Sequence, residues 1–207
     1  MTSTEFWTQN QVGGPYSTLK ESQAALLERQ RLYPSLLDLM PVTNLQGKTV
    51  LDYGCGPGHD TLLFCLNGAG HVFYYDISSL ALEIVDARLE MHAMADYASP
   101  VDRAHFPKVD YVHCAGVLHH TEDPLGNLKD MRACLKMNGQ ARVMIYDGDR
   151  SKKTKSKVPI TLWWTEHEFV YLAFMAGFGA EYVGSYECSA PWRPDCYAAC
   201  YSLTPLR

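Results

Sequence analysis

The sequence predicts an α/β protein, with a doubly wound sheet of about seven strands that is mostly parallel and has one antiparallel strand near the C-terminus. Three observations predict it. From residue 48 onward, β-like runs alternate with stretches of helix-forming composition. Such alternation builds a parallel sheet through right-handed crossovers. The last two β-like runs are joined only by the eight residues Cys188 to Asp195, too few for a helical crossover, so those two strands should pair antiparallel. A length of 207 residues with 47% apolar content suits one folded domain, or one domain with a cap.

The elements follow in order. After a loose start that holds Phe6, Trp7 and Tyr16, the stretch Thr18 to Arg31 has helix-forming composition, with Leu19, Ala25, Leu26 and Leu27 available for an apolar face. Pro34 and Pro41 punctuate what comes next. Residues 1–46 therefore read as an N-terminal helical cap, and residues 47–207 as the main domain. Lys48 to Tyr53 is a first strand, Gly54 to Gly58 a turn, and the run to Leu66 a helix. Gly70 to Asp76 is a second strand ending on an acid, and Ser78 or Ser79 caps a helix through about Arg88. A third strand is expected at Glu90 to Ala95 and a fourth at Val109 to Ala115. Asp123 caps the next helix, Pro124 suits its first position and Gly139 follows its end. Gln140 to Tyr146 is a fifth strand. Thr165 and Glu168 have capping-box spacing before a helix to Met175. Glu181 to Glu187 and Tyr197 to Leu203 complete the set.

Composition narrows the function classes. With 18 basic and 23 acidic residues the net charge is −5, which argues against nucleic-acid or anionic-membrane partners. The stretch Phe169 to Ala180 falls well short of the roughly 20 residues a bilayer span needs. The N-terminus has no basic start and no apolar run, so no secretory signal is expected. Seven cysteines lie in no Cys-x-x-Cys pair, and several fall inside apolar runs, which points to reduced thiols in a cytoplasmic setting. Cys196 and Cys200 would share one strand face, yet two thiols alone do not make a metal site. His167-Glu168 lacks a second histidine at position 171, which is Tyr. No metal is expected.

The most informative segment is Val50 to Asp60, which reads Val-Leu-Asp-Tyr-Gly-Cys-Gly-Pro-Gly-His-Asp. In an open α/β sheet, ligands bind beyond the carboxyl ends of the strands. Glycines there remove the Cβ atoms that would keep a ligand off the backbone. The pattern is Gly54-x-Gly56-x-Gly58, whereas the dinucleotide fingerprint sets its third glycine one residue later. An acid just before the glycines is unfavourable beside a pyrophosphate and suits an ammonium or sulfonium group. Asp52 is placed to hold such a cation or to order the loop. Asp76 follows at the end of the second strand, where a carboxylate accepts hydrogen bonds from vicinal ribose hydroxyls or caps a helix.

Together with Tyr75-Asp-Ile-Ser78, Val109 to His120 with Thr-Glu-Asp-Pro124, and Leu135-Lys-Met-Asn-Gly139, this segment makes residues 48–146 resemble a class I S-adenosylmethionine-dependent methyltransferase of Rossmann-like fold. The similarity is to the small-molecule branch that includes the ubiquinone and menaquinone biosynthesis enzymes. About half of the chain carries the resemblance closely. It implies that the backbone of Gly54, Gly56 and Gly58 lines the methionine portion and the sulfonium. It implies that Asp76 holds the ribose and that Ile77 packs on the adenine. The family's adenine-contacting pair follows the third strand, which selects Asp96 and Tyr97. Cys114 and Ala115, ending the fourth strand, would pass the methionine end of the cofactor.

Paired histidines often stand after the fourth strand in this family. His119 is the candidate general base, with a loop histidine bonded to backbone as the other reading, and His120 is the more structural of the two. The sulfonium brings an activated methyl group, so the protein mainly supplies position and environment. On the acceptor side stand the basic run Asp149 to Lys157, then Trp163 and Trp164, and Pro191 to Pro194 in the last connection. Each is a pocket wall or an ordinary solvated or packed segment. The Asn-Pro-Pro-Tyr-like segment of amino-methylating nucleic-acid enzymes is replaced here by Cys114-Ala-Gly-Val-Leu118. The implied function is methyl transfer from S-adenosylmethionine to an O, N or C atom of a small molecule. The alternative is a non-catalytic S-adenosylmethionine-binding partner or regulatory protein. Sequence does not address the oligomeric state.

Overall fold

The computed structural model describes residues 2–151, 158–188 and 195–206. Seven strands form one sheet: β1 (Thr49–Tyr53), β2 (His71–Tyr75), β3 (Ala98–Pro100), β4 (Val109–Ala115), β5 (Leu135–Tyr146), β6 (Phe178–Glu187) and β7 (Tyr197–Pro205). Their order is β3-β2-β1-β4-β5-β7-β6. The pairs among β1 to β5 are parallel, and β7 runs antiparallel between β5 and β6. The single antiparallel strand expected near the C-terminus is thus β7.

The helices are α1 (Ser3–Gln9), α2 (Leu19–Leu32), α3 (Leu36–Leu39), α4 (His59–Leu66), α5 (Ser79–Met91), α6 (Pro124–Cys134) and α7 (Glu166–Met175). Their starts obey local chemistry. The Thr18 side chain accepts from Glu21 N–H, Ser78 from Ala81 N–H, and Asp123 from Gly126 N–H with Pro124 at the first position. Thr165 and Glu168 close a reciprocal capping box. The N-terminus is less loose than expected: Thr2 and Glu5 close a second capping box, and Phe6 and Trp7 lie inside α1.

Side chains on the central strands alternate between two buried layers, as the period of two requires. Leu51 and Tyr53 face one layer with Val112, Leu128, Met131, Val143, Phe169 and Tyr201. Val50 faces the other, with Leu62, Phe64, Val72, Tyr74, Val85 and Tyr111. Burying one such side chain is worth about 1.5–3 kcal/mol, so packing on both faces holds the sheet to its helices.

The third strand differs from expectation. Glu90 and Met91 end α5, and Ala93 takes a left-handed φ of 55° that closes the helix, with Met94 N–H donating to Leu89 O at 2.8 Å. The strand itself is the three-residue Ala98–Pro100, paired in register with Val72 to Tyr74. The fifth strand starts earlier than expected, at Leu135 rather than Gln140. Among the described residues, no helix is long and apolar enough to cross a membrane. No group of three or more His, Cys, Asp or Glu there is arranged to hold a metal ion.

Candidate active site

The strand order reverses at β1, which has β2 on one side and β4 on the other. A cleft opens at such a switch point beyond the carboxyl ends of the strands. The turn after β1 occupies it. Gly54, Gly56 and Gly58 adopt φ of 78°, 50° and 72°, the left-handed region where a Cβ is costly. A Cβ on Gly54 would meet Val117 at 2.3 Å, and one on Gly58 would meet Val85 at 2.8 Å. Those two glycines let the loop lie close against its neighbours. Gly56 is different: nothing stands within 4 Å of its missing Cβ. It faces open space.

The turn is bonded to the end of β2. Gly54 and Cys55 N–H both donate to Tyr75 O, at 2.7 and 3.0 Å. Gly56 N–H donates to Asp76 Oδ2 at 3.0 Å, and Ser78 N–H to Asp76 Oδ1 at 2.9 Å. Half-buried Asp76 is thereby fixed at the rim of the loop with a lone pair left on each oxygen. Burial pushes its carboxyl up, and the backbone N–H groups of Ser78 and Gly56 oppose that. Ile77 beside it is 41% exposed.

Asp52 lies elsewhere. It is 2% exposed and accepts from Thr61 Oγ1 at 2.6 Å, behind the loop and under α4. Burial and the nearby Asp60 charge push its carboxyl up to about 6, against the pull of His113. It orders the loop, and the alternative of reaching a bound cation is set aside by its burial. Asp60 next to it takes a bidentate pair from Arg29 at 2.6 Å and touches His113 Nε2 at 3.0 Å. Despite burial, these partners hold the Asp60 carboxyl well below the usual carboxylate range.

Three further expectations are corrected. Asp96 and Tyr97 sit in a turn before β3, not after it, at the opposite edge of the sheet from the glycine loop. Both are exposed there. The acid that does follow the third strand is Asp102, level with Asp76, whose Oδ1 accepts from Ala104 N–H at 2.8 Å. Cys114 is fully buried in the core beneath the strand end, and only half-buried Ala115 and Gly116 reach the cleft side of β4. His119 is also fully buried, and its ring stacks on Tyr146 with centroids 3.6 Å apart. A ring with no accessible surface does not meet an acceptor in this arrangement. His120 is structural, its Nδ1 2.8 Å from Ile160 O.

The stack continues from Tyr146 to Trp163, with centroids 5.0 Å apart. Trp164 instead packs toward core Phe169. Of the basic run, Arg150 is engaged with Ser185 and lies over the Tyr197 ring, while residues 152–157 fall outside the described residues. So do Pro191 to Pro194.

The N-terminal segment crosses this cleft. Gln11 Nε2 donates to Ser78 Oγ at 2.6 Å, and Trp7 lies 5.3 Å from the His120 ring. A residue that sequence reasoning missed ties it down: Arg88 on α5, 1% exposed. It donates to Ser22 Oγ, Ser22 O and Pro57 O at 2.8–3.0 Å and stacks under Tyr16. An arginine on the helix face otherwise formed by Ala81, Ile84, Val85 and Leu89 was the available signal.

The model of the methyltransferase domain family matches residues 26–173. The chain belongs to that family. A tRNA U34 carboxymethyltransferase of Shewanella amazonensis is 32% identical over 124 residues, covering 54% of this chain and 35% of that protein. The chain spans 25–37% of the length of the curated relatives compared. Among solved structures, the [4+2]-cyclase SpnF superposes with a TM-score of 0.67 at 15% identity, over 95% of this chain and 86% of that one. Magnesium protoporphyrin IX methyltransferase of Synechocystis PCC 6803, with S-adenosylmethionine bound, gives 0.63 at 17% identity, over 98% and 89%. At these identities the likeness is one of fold. By family the chain carries a methyltransferase domain, in a fold shared with a protein solved with S-adenosylmethionine bound.

Proposed function

We propose that this methyltransferase moves the methyl group of S-adenosylmethionine to a small-molecule acceptor. The observation that carries the reading is the open face of Gly56 with the Asp76 carboxylate fixed beside it. The residues present fit the cofactor. The backbone of Gly54, Gly56 and Gly58 takes the methionine portion, Asp76 the ribose hydroxyls, and Ile77 the adenine face. Asp102 replaces Asp96 as the acid for the exocyclic amine, and Ala115 with Gly116 lines the methionine end. When bound, S-adenosylmethionine supplies an activated methyl group.

The protein's own residues supply position and exclusion of water. Holding acceptor and methyl donor in line accounts for up to roughly 7–11 kcal/mol of barrier in ideal cases. Tyr146 and Trp163 wall the acceptor side beyond β4 and β5, with buried His119 packed on Tyr146. Residues 1–46 act as the cap, since Gln11 anchors on Ser78 and Trp7 on His120, one on each side of the glycine loop. A net charge of −5 favours a small acceptor over a polyanion. The likeness to tRNA-modifying enzymes covers only about half of this chain.

The test uses the full chain. Calorimetric titration with S-adenosylmethionine and S-adenosylhomocysteine should give micromolar binding, near common working concentrations. Incubation with S-adenosylmethionine and a panel of phenols, carboxylic acids, amines and unmodified tRNA should then release S-adenosylhomocysteine with a small molecule. Failure to bind either nucleoside overturns the site. Turnover with tRNA alone overturns the acceptor class. Binding without any turnover assigns the chain to non-catalytic partners.

A further inference from the structure

Outside the site, the fold brings together two cysteines that the sequence left apart. Cys188 follows the last residue of β6 and Cys196 precedes the first of β7. The strands pair in register up to Glu187 and Tyr197, and Cys188 N–H donates to Cys196 O at 2.9 Å. The two sulfurs stand 3.1 Å apart. Cys196, expected to share a strand face with Cys200, instead lies just before β7 and meets Cys188. Among the described residues this is the only sulfur–sulfur contact. The other five cysteines are buried, whereas Cys188 is partly exposed.

We propose that Cys188 and Cys196 are a dithiol–disulfide site at the end of the β6–β7 hairpin where its two strands are connected. Directly facing residues of an antiparallel pair have Cα atoms about 5.5 Å apart, inside the range a disulfide spans. Closing the bond therefore asks for side-chain rotation and not for strand movement. The reaction is exchange with a disulfide such as oxidised glutathione. One cysteine sulfur attacks it and releases one glutathione thiol, leaving a mixed disulfide. The second cysteine displaces the other glutathione. Both protein thiols are oxidised, the glutathione disulfide is reduced to two thiols, and the two protons pass to them.

The place of the pair gives the bond a consequence. Tyr197, next to Cys196, accepts from Asp147 N–H at 2.9 Å and donates its own N–H to Ser151 Oγ at 2.9 Å. Asp147 directly follows Tyr146, the residue on which His119 stacks. The disulfide pins the strand end that holds this acceptor-side segment. The glycine loop lies across the sheet, beyond β4, and is untouched.

The experiment takes the reduced full chain and incubates it with oxidised glutathione. The intact mass should fall by two hydrogens, and peptide mapping should show Cys188 joined to Cys196. A reducing agent should restore the starting mass. Cys188→Ser should abolish the loss, and Cys134→Ser should leave it unchanged. Hydrogen exchange at the Asp147 and Tyr197 amides should slow several-fold in the oxidised form. A stable glutathione adduct, a link through any other cysteine, or an unchanged mass overturns the proposal. Mapping of the unsubstituted chain decides this even if a serine variant fails to fold. Titration with S-adenosylhomocysteine before and after oxidation should give affinities within about twofold. That probe rests on the proposed cofactor reading, and its failure to bind the reduced chain would count against that reading alone.

Discussion

Arg88 donates from Nη1 to the carbonyl oxygen of Pro57 at 2.9 Å, joining α5 to the middle of the glycine loop. The same nitrogen lies 3.1 Å from His59 Nδ1, which assigns the His59 proton to Nε2. Burial and the arginine charge push the His59 imidazolium down to about 3, so the ring stays neutral. The guanidinium is buried without a salt bridge among the described residues, and its partners are the hydroxyl and carbonyl oxygens of Ser22, the carbonyl oxygen of Pro57 and His59 Nδ1. Such a cation is costly to bury unless every donor is used.

Replacing Arg88 should therefore hurt both fold and site. Arg88→Met is expected to lower unfolding stability by roughly 3 kcal/mol, the scale of losing charge-assisted bonds in the interior. Calorimetric titration should show weaker S-adenosylhomocysteine binding as the Pro57 carbonyl is released, with Arg88→Lys intermediate. Thermal unfolding and titration together decide it. A folded Arg88→Met chain with unaltered affinity would reduce the arginine to a purely structural role.

Asp76 carries the most direct expectation. Its two oxygens each accept one backbone N–H, and each has a lone pair to spare. Asp76→Ala should weaken S-adenosylhomocysteine binding by about 1.5–3 kcal/mol through lost charge-assisted hydrogen bonds. Titration that matches the unsubstituted chain would remove the ribose assignment.

Gly54 and Gly56 should respond in opposite ways. An alanine Cβ at Gly54 would stand 2.3 Å from Val117, so Gly54→Ala should destabilise the fold beyond the roughly 1 kcal/mol of left-handed strain. Gly56 has free space, so Gly56→Val should cost little more than that strain while filling the cradle and abolishing cofactor binding. Thermal melts and titrations of both variants give the comparison. A Gly56→Val chain that melts normally and still binds would mean the cofactor lies elsewhere.

Asp52 should give a pH signature. Its folded value of about 6 exceeds the ordinary 3.8 of an open chain. The stabilisation it contributes is present below about pH 4 and is lost as the pH rises through about 6. Asp52→Asn removes that loss and still offers an oxygen to Thr61. The variant should melt higher than the unsubstituted chain at neutral pH, and the gap should close as the pH falls toward 4. A gap that does not vary with pH would show that the carboxyl titrates normally. Because Asp52 is buried behind the loop, cofactor affinity should change by no more than a few-fold.

Much of this was written in local spacing. The glycine turn, the strand-terminal Asp76 and the strand Val109–Ala115 all rest on neighbours within a dozen residues. So do the Asp123-Pro124 start of α6 and the Thr165–Glu168 box. The third strand was different. Three residues ending in proline carry no periodicity, and Ala98–Pro100 is a strand only because Val72 to Tyr74 supply its partners. Misplacing it put the acid expected after the third strand at Asp96, which precedes β3, whereas Asp102 is the acid that follows it.

By itself, the sequence determined the order of strands and helices, the antiparallel last turn of the sheet and the glycine turn after β1, because period, caps and glycines act over short range. Only the tertiary structure decided which acids and histidines face the cleft. Asp52, Cys114 and His119 have the right residue types and the right neighbours along the chain, yet all three are closed off by packing from distant segments. Accessibility is a property of what folds over a residue, and for the same reason the Arg88 latch and the Cys188–Cys196 contact came into view only once the chain had closed on itself.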